Sequence, residues 1–196
     1  MEKSTDTLID LKYFINRSGF KAFFSVFRSR LEKMLSIDKL NNAYDQLVGD
    51  HESRTFFHAC LKILEVSPNI SLTDLSKIPA SGPVVVVATH PFGGLDGIVL
   101  AAILSEVRND IKLLGNFIIQ NIPEIHKWNI PVDPFDNRES IQRNSIAIRA
   151  AINWVKQGGL LITFPAGEVS HLFLSKSRVV DGKWSPHTAA STCTRH

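Results

Sequence analysis

The sequence predicts an α/β fold: a mixed, largely parallel sheet flanked by helices and preceded by an N-terminal helical region. Two runs, residues 84–88 (VVVVA) and 160–164 (LLITF), are continuously apolar without alternation, the pattern of short strands buried on both faces. Helical periodicity follows the first run and precedes the second, and such alternation of β and α segments implies layers of helix on sheet. Residues 8–66 carry only helical spacing, with a change of character near Pro68. The expected division is therefore a helical region over 1–66 and an α/β domain over 67–196.

The chain has 196 residues, 44% hydrophobic and 21% charged, with a mean hydropathy of +0.02. That suits one domain with a sizeable core and excludes a disordered chain. No apolar run approaches the roughly 18–20 residues that a membrane-crossing helix needs. The first twenty residues are interrupted by charges and lack a signal-peptide pattern, so an intracellular location is expected. Cys60 and Cys193 stand far apart and outside any C-x-x-C spacing, which supports neither a disulfide framework nor a metal site.

In the N-terminal region, Phe20, Phe23, Phe24, Phe27, Leu31, Met34 and Leu35 recur at helical spacing and form one stripe. The net charge of +3 is concentrated here. Between Leu11 and Lys33, six cationic residues, including Arg28 and Arg30, face the single anion Glu32, a local surplus of five. A phenylalanine stripe with basic flanks suits a helix lying in a membrane interface, and equally an amphipathic helix packed on its own domain. No nucleic-acid partner is expected. Residues 66–83, rich in Pro, Ser and Asn, read as a connector.

The strand at 84–88 leads into the turn THPFGGLDG and then a helix over 98–107, and residues 112–114 suit a second short strand. Asp136 and Glu139 have capping-box spacing at the start of another helix. Its expected apolar face is Ile141, Ala147, Ile148, Ala151, Trp154 and Val155, and Gly158-Gly159 ends it. The strand at 160–164 is stopped by Pro165.

Ligands in an open α/β sheet bind at the carboxyl ends of the strands. The first such place holds His90 and Asp96, with Gly93 and Gly94 in the turn between them and Gly97 just after. A carboxylate folded back on an imidazole fixes its tautomer and leaves the other nitrogen free to take a proton at neutral pH. The same residues also suit a structural role, His90 closing the strand and Asp96 capping the helix. The second place is FPAGEVS, with Phe164, Pro165, Gly167, Glu168 and Ser170. There is no G-x-S-x-G elbow, P-loop, G-x-G-x-x-G or H-E-x-x-H motif, and neither cysteine follows a strand. His51 and His58 read as surface histidines.

HPFGGLDG and FPAGEVS, in this order and separated by LGNFIIQNIPEIHKWNIPVDPFDNRES, resemble the blocks of the phospholipid/glycerol acyltransferase superfamily. The nearest form is a bacterial hemolysin-like branch related to acyltransferases of ornithine and other aminolipids, and the resemblance spans about residues 40–186. It implies a membrane-associated O-acyltransferase in which His90 deprotonates an acceptor hydroxyl, Asp96 orients and stabilises the ring, and the oxygen attacks an acyl thioester. Acyl-CoA or acyl carrier protein would be the donor, with no cofactor and no metal. Gly93, Gly94 or the backbone around Gly167 would supply N–H groups to the oxyanion. The resemblance also implies a peripheral place on the cytoplasmic face of the membrane, with the Phe20–Arg30 segment touching lipid.

Three departures from the family pattern stand out. Five residues rather than four separate His90 from Asp96, Ala166 stands where the family has an acid, and Val169 and Ser170 stand where it has a basic residue. Phosphate binding would then fall to Arg138, helped by Arg143, or the acceptor head group is not a phosphomonoester. A non-catalytic lipid-binding or membrane-perturbing protein and a hydrolase using the same dyad are the competing readings. The residues after Phe173 show neither the helix nor the core strand that the family carries there, so a truncated domain, or a strand supplied by a partner, is expected.

Overall fold

A computed structural model of the chain describes residues 53–133, 138–167, 171–173 and 178–180. The expected membrane-contact segment, His51, Glu168, Ser170 and Cys193 lie outside the described residues. The described elements run α1 (Ser53–Ile63), α2 (Leu72–Leu75), β1 (Val84–Val87), α3 (Gly94–Ser105) and β2 (Ile111–Asn116). A 3-10 turn (Phe117–Asn121), α4 (Pro123–His126), β3 (Asn129–Val132), α5 (Arg138–Lys156), β4 (Leu160–Thr163), β5 (His171–Phe173) and β6 (Arg178–Val180) follow.

Four strands form one parallel sheet in the order β1-β4-β2-β3, and β5 and β6 pair antiparallel as a separate ribbon. The expected layering of helices on a largely parallel sheet is what the chain adopts. β4 is central and its four residues are fully buried. β1, expected to be buried on both faces, is only half-buried along its length. It stands at one end of the strand order, with β4 as its sole described neighbour, and its side chains are correspondingly less covered.

Helices cover both faces. α5 lies on one, where Ala147 and Ala151 pack against Ile130 and Leu161 with Leu114, Val132 and Val155 around them. On the other face α3 packs over β2, and α1 packs on α3 and α4. α1 buries Phe56, Phe57, Cys60 and Leu61, spaced one and four apart as one helical face demands, with Phe57 edge-on to Trp128 at 4.8 Å. Cys60 is thereby buried, and its thiol is pushed up to about 12, first by desolvation and then by the charge of Glu124. A thiol in that state is no nucleophile.

Several boundaries differ from the sequence reading. α3 begins at Gly94, four residues earlier than expected, and the second strand extends to Asn116. The connector contains one helical turn, α2, where Ser71 caps Asp74 N–H at 3.1 Å and Asp74 pairs with Lys77. β3, which contains Pro131, is not among the elements expected from the sequence. Proline is tolerated there since β3 stands at the other end of the strand order and Pro131 is exposed. The expected face of α5 holds at Ala147, Ala151 and Val155 and fails in the helix's first turn, where Ser140 is buried and Ile141 is 60% exposed.

α5 ends as its glycines require. Gly158, at φ 94°, donates to Val155 C=O at 2.9 Å and Gly159 to Trp154 C=O at 3.0 Å, the paired bonds of a Schellman motif. A Cβ at Gly159 would lie 2.3 Å from Trp154 Nε1, so glycine here lets the indole cover the start of β4, where it donates to Leu160 C=O.

Candidate active site

β1 and β4 run side by side with Val87 opposite Thr163, and Ala88 N–H donates to Thr163 C=O at 3.2 Å. Parallel pairing in this register puts the two turns that follow, residues 88–93 and 164–167, next to each other at the carboxyl end of the sheet. The rings of His90 and Phe164 meet there with centroids 4.8 Å apart. Two segments more than seventy positions apart in sequence are thus joined, as the sequence reading expected.

The His90 turn is built by backbone bonds. Gly93 N–H donates to His90 C=O at 3.1 Å, and Asp96 N–H donates to Gly93 C=O at 3.2 Å. Gly93 is the N-cap of α3 with φ 66° and ψ −123°, a conformation open to glycine and strained for any residue with a Cβ. Asp96 is therefore not the helix N-cap. It stands in the first turn of α3, and its carboxylate folds back so that Oδ2 accepts from Phe92 N–H at 2.7 Å. The carboxylate so closes the six-residue excursion from strand to helix.

His90 and Asp96 influence each other through charge. Burial holds the imidazole below its ordinary 6.5, opposed by the Asp96 charge and by a hydrogen bond with the Gly93 backbone. Burial likewise raises the Asp96 carboxyl, opposed by hydrogen bonds from the Phe92 and Gly93 backbone and by His90. Desolvation is the largest cause in both, so the site disfavours charge on either partner. His90 Nε2 is buried without a hydrogen-bond partner among the described residues. A buried acceptor nitrogen left unpaired costs free energy in the resting protein and is open to a hydroxyl proton.

The remaining expected site residues divide. Pro165 is buried and fixes the end of β4, while Gly167 takes φ 66° and donates to Phe164 C=O at 3.0 Å. The Gly93 and Gly167 amides are thus both engaged inside their own turns, and the Gly94 amide opens α3 with open space around its Cα. Arg138 is the first residue of α5, and its side chain is outside the description. Arg143 pairs with the Asp133 carboxylate at 3.4 Å. Asn144, one position on, holds the Asp133 backbone through both its amide atoms, tying the end of β3 to α5. Sequence reading had no signal for Asp133 and Asn144, since they meet only when α5 lies along β3. His58 is a surface residue, paired with Glu106 at 2.8 Å. Among the described residues no group of His, Cys, Asp and Glu side chains could hold a metal ion, and no helix is long and apolar enough to cross a membrane.

The family model described as acyltransferase matches residues 27–194, most of the chain. The lyso-glycine lipid O-acyltransferase of Phocaeicola vulgatus is 24% identical over 167 residues, covering 82% of this chain and 56% of that protein. The lyso-glycine lipid O-acyltransferase of Bacteroides thetaiotaomicron is 26% identical over 110 residues, covering 54% of this chain and 38% of that protein. The chain therefore spans about half the length, or less, of these curated relatives. No solved structure matches it.

Proposed function

The chain belongs to the acyltransferase family, and from that premise we propose that it moves a fatty acyl group from a thioester to a hydroxyl of a lyso-aminolipid, with His90 as general base. The observation that supports this reading most is the buried, unpartnered Nε2 of His90, on a ring that burial keeps neutral, at the junction of the β1 and β4 turns. A neutral imidazole with a free lone pair accepts the acceptor hydroxyl's proton as the oxygen attacks the thioester carbonyl. Collapse of the tetrahedral intermediate breaks the C–S bond, and the imidazolium returns the proton to the departing thiolate.

Asp96 supplies the countercharge to the transient imidazolium, and its bond to Phe92 N–H keeps the turn in place while the charge moves. The Gly94 amide, at the start of a twelve-residue helix, is the oxyanion donor this scheme favours. Direct transfer needs no protein nucleophile, which agrees with a buried Cys60. The two relatives are named for a lyso-glycine lipid acceptor, and Arg143 is engaged with Asp133; both favour an aminolipid head group over a phosphomonoester. Acyl-CoA or acyl carrier protein serves as donor, and the enzyme works from the cytoplasmic face of the membrane, with the basic phenylalanine segment around Phe20–Arg30 against the lipid.

The test is product analysis with labelled acyl-CoA or acyl carrier protein and either a lyso-glycine lipid or lysophosphatidic acid. Acylated lyso-glycine lipid is expected, with the phospholipid acceptor used less well. Free fatty acid without acylated acceptor would replace transfer by hydrolysis. Neither product, together with leakage of dye-loaded vesicles that persists in His90→Ala, would favour a membrane-perturbing protein.

A further inference from the structure

Asp96 influences His90, yet the bond its carboxylate makes goes elsewhere in the turn. Oδ2 accepts from Phe92 N–H at 2.7 Å, and Asp96 acts on the ring through charge. The residue whose backbone is tied to both partners is Gly93. Its N–H donates to His90 C=O at 3.1 Å, and its C=O accepts from Asp96 N–H at 3.2 Å. Gly93 holds φ 66° and ψ −123°, a backbone shape that a side chain would strain, so the direction of its carbonyl depends on its being glycine.

The ring of His90 is bonded to the same residue. It has the Gly93 backbone as a hydrogen-bond partner, and that bond favours the protonated ring. A backbone N–H facing a ring nitrogen would do the reverse, so the partner is the Gly93 carbonyl, which has a second lone pair beside the one that Asp96 N–H takes. Nε2 has no partner among the described residues, which leaves Nδ1 as the donor. Resting on the acyl-transfer reading above, we propose that Gly93 is the positioning residue of the base: its carbonyl, not the Asp96 carboxylate, keeps a proton on Nδ1 and so presents the Nε2 lone pair to the acceptor hydroxyl. Asp96 then has two other tasks, closing the turn through Phe92 N–H and supplying countercharge. A carbonyl takes no proton, so the imidazolium keeps both of its protons until Nε2 gives one to the departing thiolate.

The test substitutes each candidate for that role and reads the ring itself. The full chain is labelled with ¹⁵N, His90 is assigned with His90→Gln, and ring-nitrogen shifts are recorded at about pH 8, where the imidazole is neutral. The unsubstituted chain is expected to carry the proton on Nδ1. Asp96→Asn keeps an oxygen for Phe92 N–H, so the Nδ1–H form should persist there, and transfer should fall by about tenfold, the equivalent of one pKa unit of countercharge. Gly93→Ala is expected to release the ring to a mixture of both neutral forms and to slow transfer by about 10²-fold or more. An Nε2–H ring in the unsubstituted chain would overturn the role of Gly93. So would loss of the Nδ1–H form in Asp96→Asn, or a fall in its transfer near 10⁴-fold, the scale seen when the carboxylate itself sets the tautomer. A folded Gly93→Ala whose ring stays wholly Nδ1–H would overturn it too, and if that variant does not fold the Asp96→Asn spectrum decides alone. An Nδ1–H ring in Asp96→Asn, with no acyl transfer by the unsubstituted chain, would leave the positioning role standing and overturn the proposed reaction.

Discussion

The two ends of the sheet treat the buried nitrogens of a cationic or basic side chain in opposite ways. At the amino end Arg108 is 3% exposed and its hydrogen bonds tie three loops together. Nε and Nη2 donate to Asp110, Nη1 to the carbonyls of Pro79 and Gly82, and Nη2 also to Gly158. Those partners lie ahead of β1, β2 and β4. At the carboxyl end His90 is held by its backbone and by Phe164, with Nε2 left unpaired. A buried polar group with all its bonds made supports the fold, whereas one with a bond withheld is available for chemistry.

Substitutions at the two ends should separate these roles. The largest effect is expected from His90→Gln, which should slow acyl transfer by about 10²–10⁴-fold, the usual share of a general base, with little change in thermal midpoint. Next comes Arg108→Leu. Loss of its bonds strands three carbonyls and the Asp110 partner, and should lower stability by about 3 kcal/mol in denaturant unfolding. Arg108 holds the Asp110 carboxyl below its ordinary 3.8, chiefly by hydrogen bonding. That contribution is complete above the ordinary value and disappears as pH falls through the lowered one, so the Arg108→Leu deficit should shrink on acidification.

A matched pair of glycine substitutions sharpens the contrast further. Gly93→Ala forces a Cβ into a glycine-only conformation and should cost about 1–3 kcal/mol together with activity. Gly159→Ala drives a Cβ against Trp154 and should cost a similar amount, about 1–3 kcal/mol, with catalysis by the remaining folded protein retained. The smallest effect is expected at Ile141→Ser, within about 0.5 kcal/mol, because that side chain is mostly in solvent.

What the sequence reveals about these two ends differs as well. The His90 turn and the FPAG turn are legible because both follow apolar runs, and a parallel sheet brings such ends together. The amino end is not legible: Arg108 reaches carbonyls 26, 29 and 50 positions away, and no local pattern marks them. The strand order β1-β4-β2-β3 is equally non-local, and from it follow the half-burial of β1 and the tolerance of Pro131 in β3. Periodicity located α5, its end and most of its inward face, and failed at Ile141, which is exposed while the neighbouring Ser140 is buried. The role of Asp96 was only partly visible. Its spacing from His90 suggested a direct bond, whereas its carboxylate accepts from the Phe92 amide and reaches His90 through charge.

The central claim, that half-buried His90 is the base, is tested most directly by the pH dependence of acyl transfer measured beside the NMR titration of the His90 ring, assigned with His90→Gln. The base works when neutral, and burial lowers its pKa from 6.5. The rate should therefore be flat at neutral pH and fall on acidification, with a midpoint below 6.5 that coincides with the ring titration. A rate that ignores pH between about 5 and 8, or an acid limb that does not track the His90 ring, would contradict the assignment of His90 as the base.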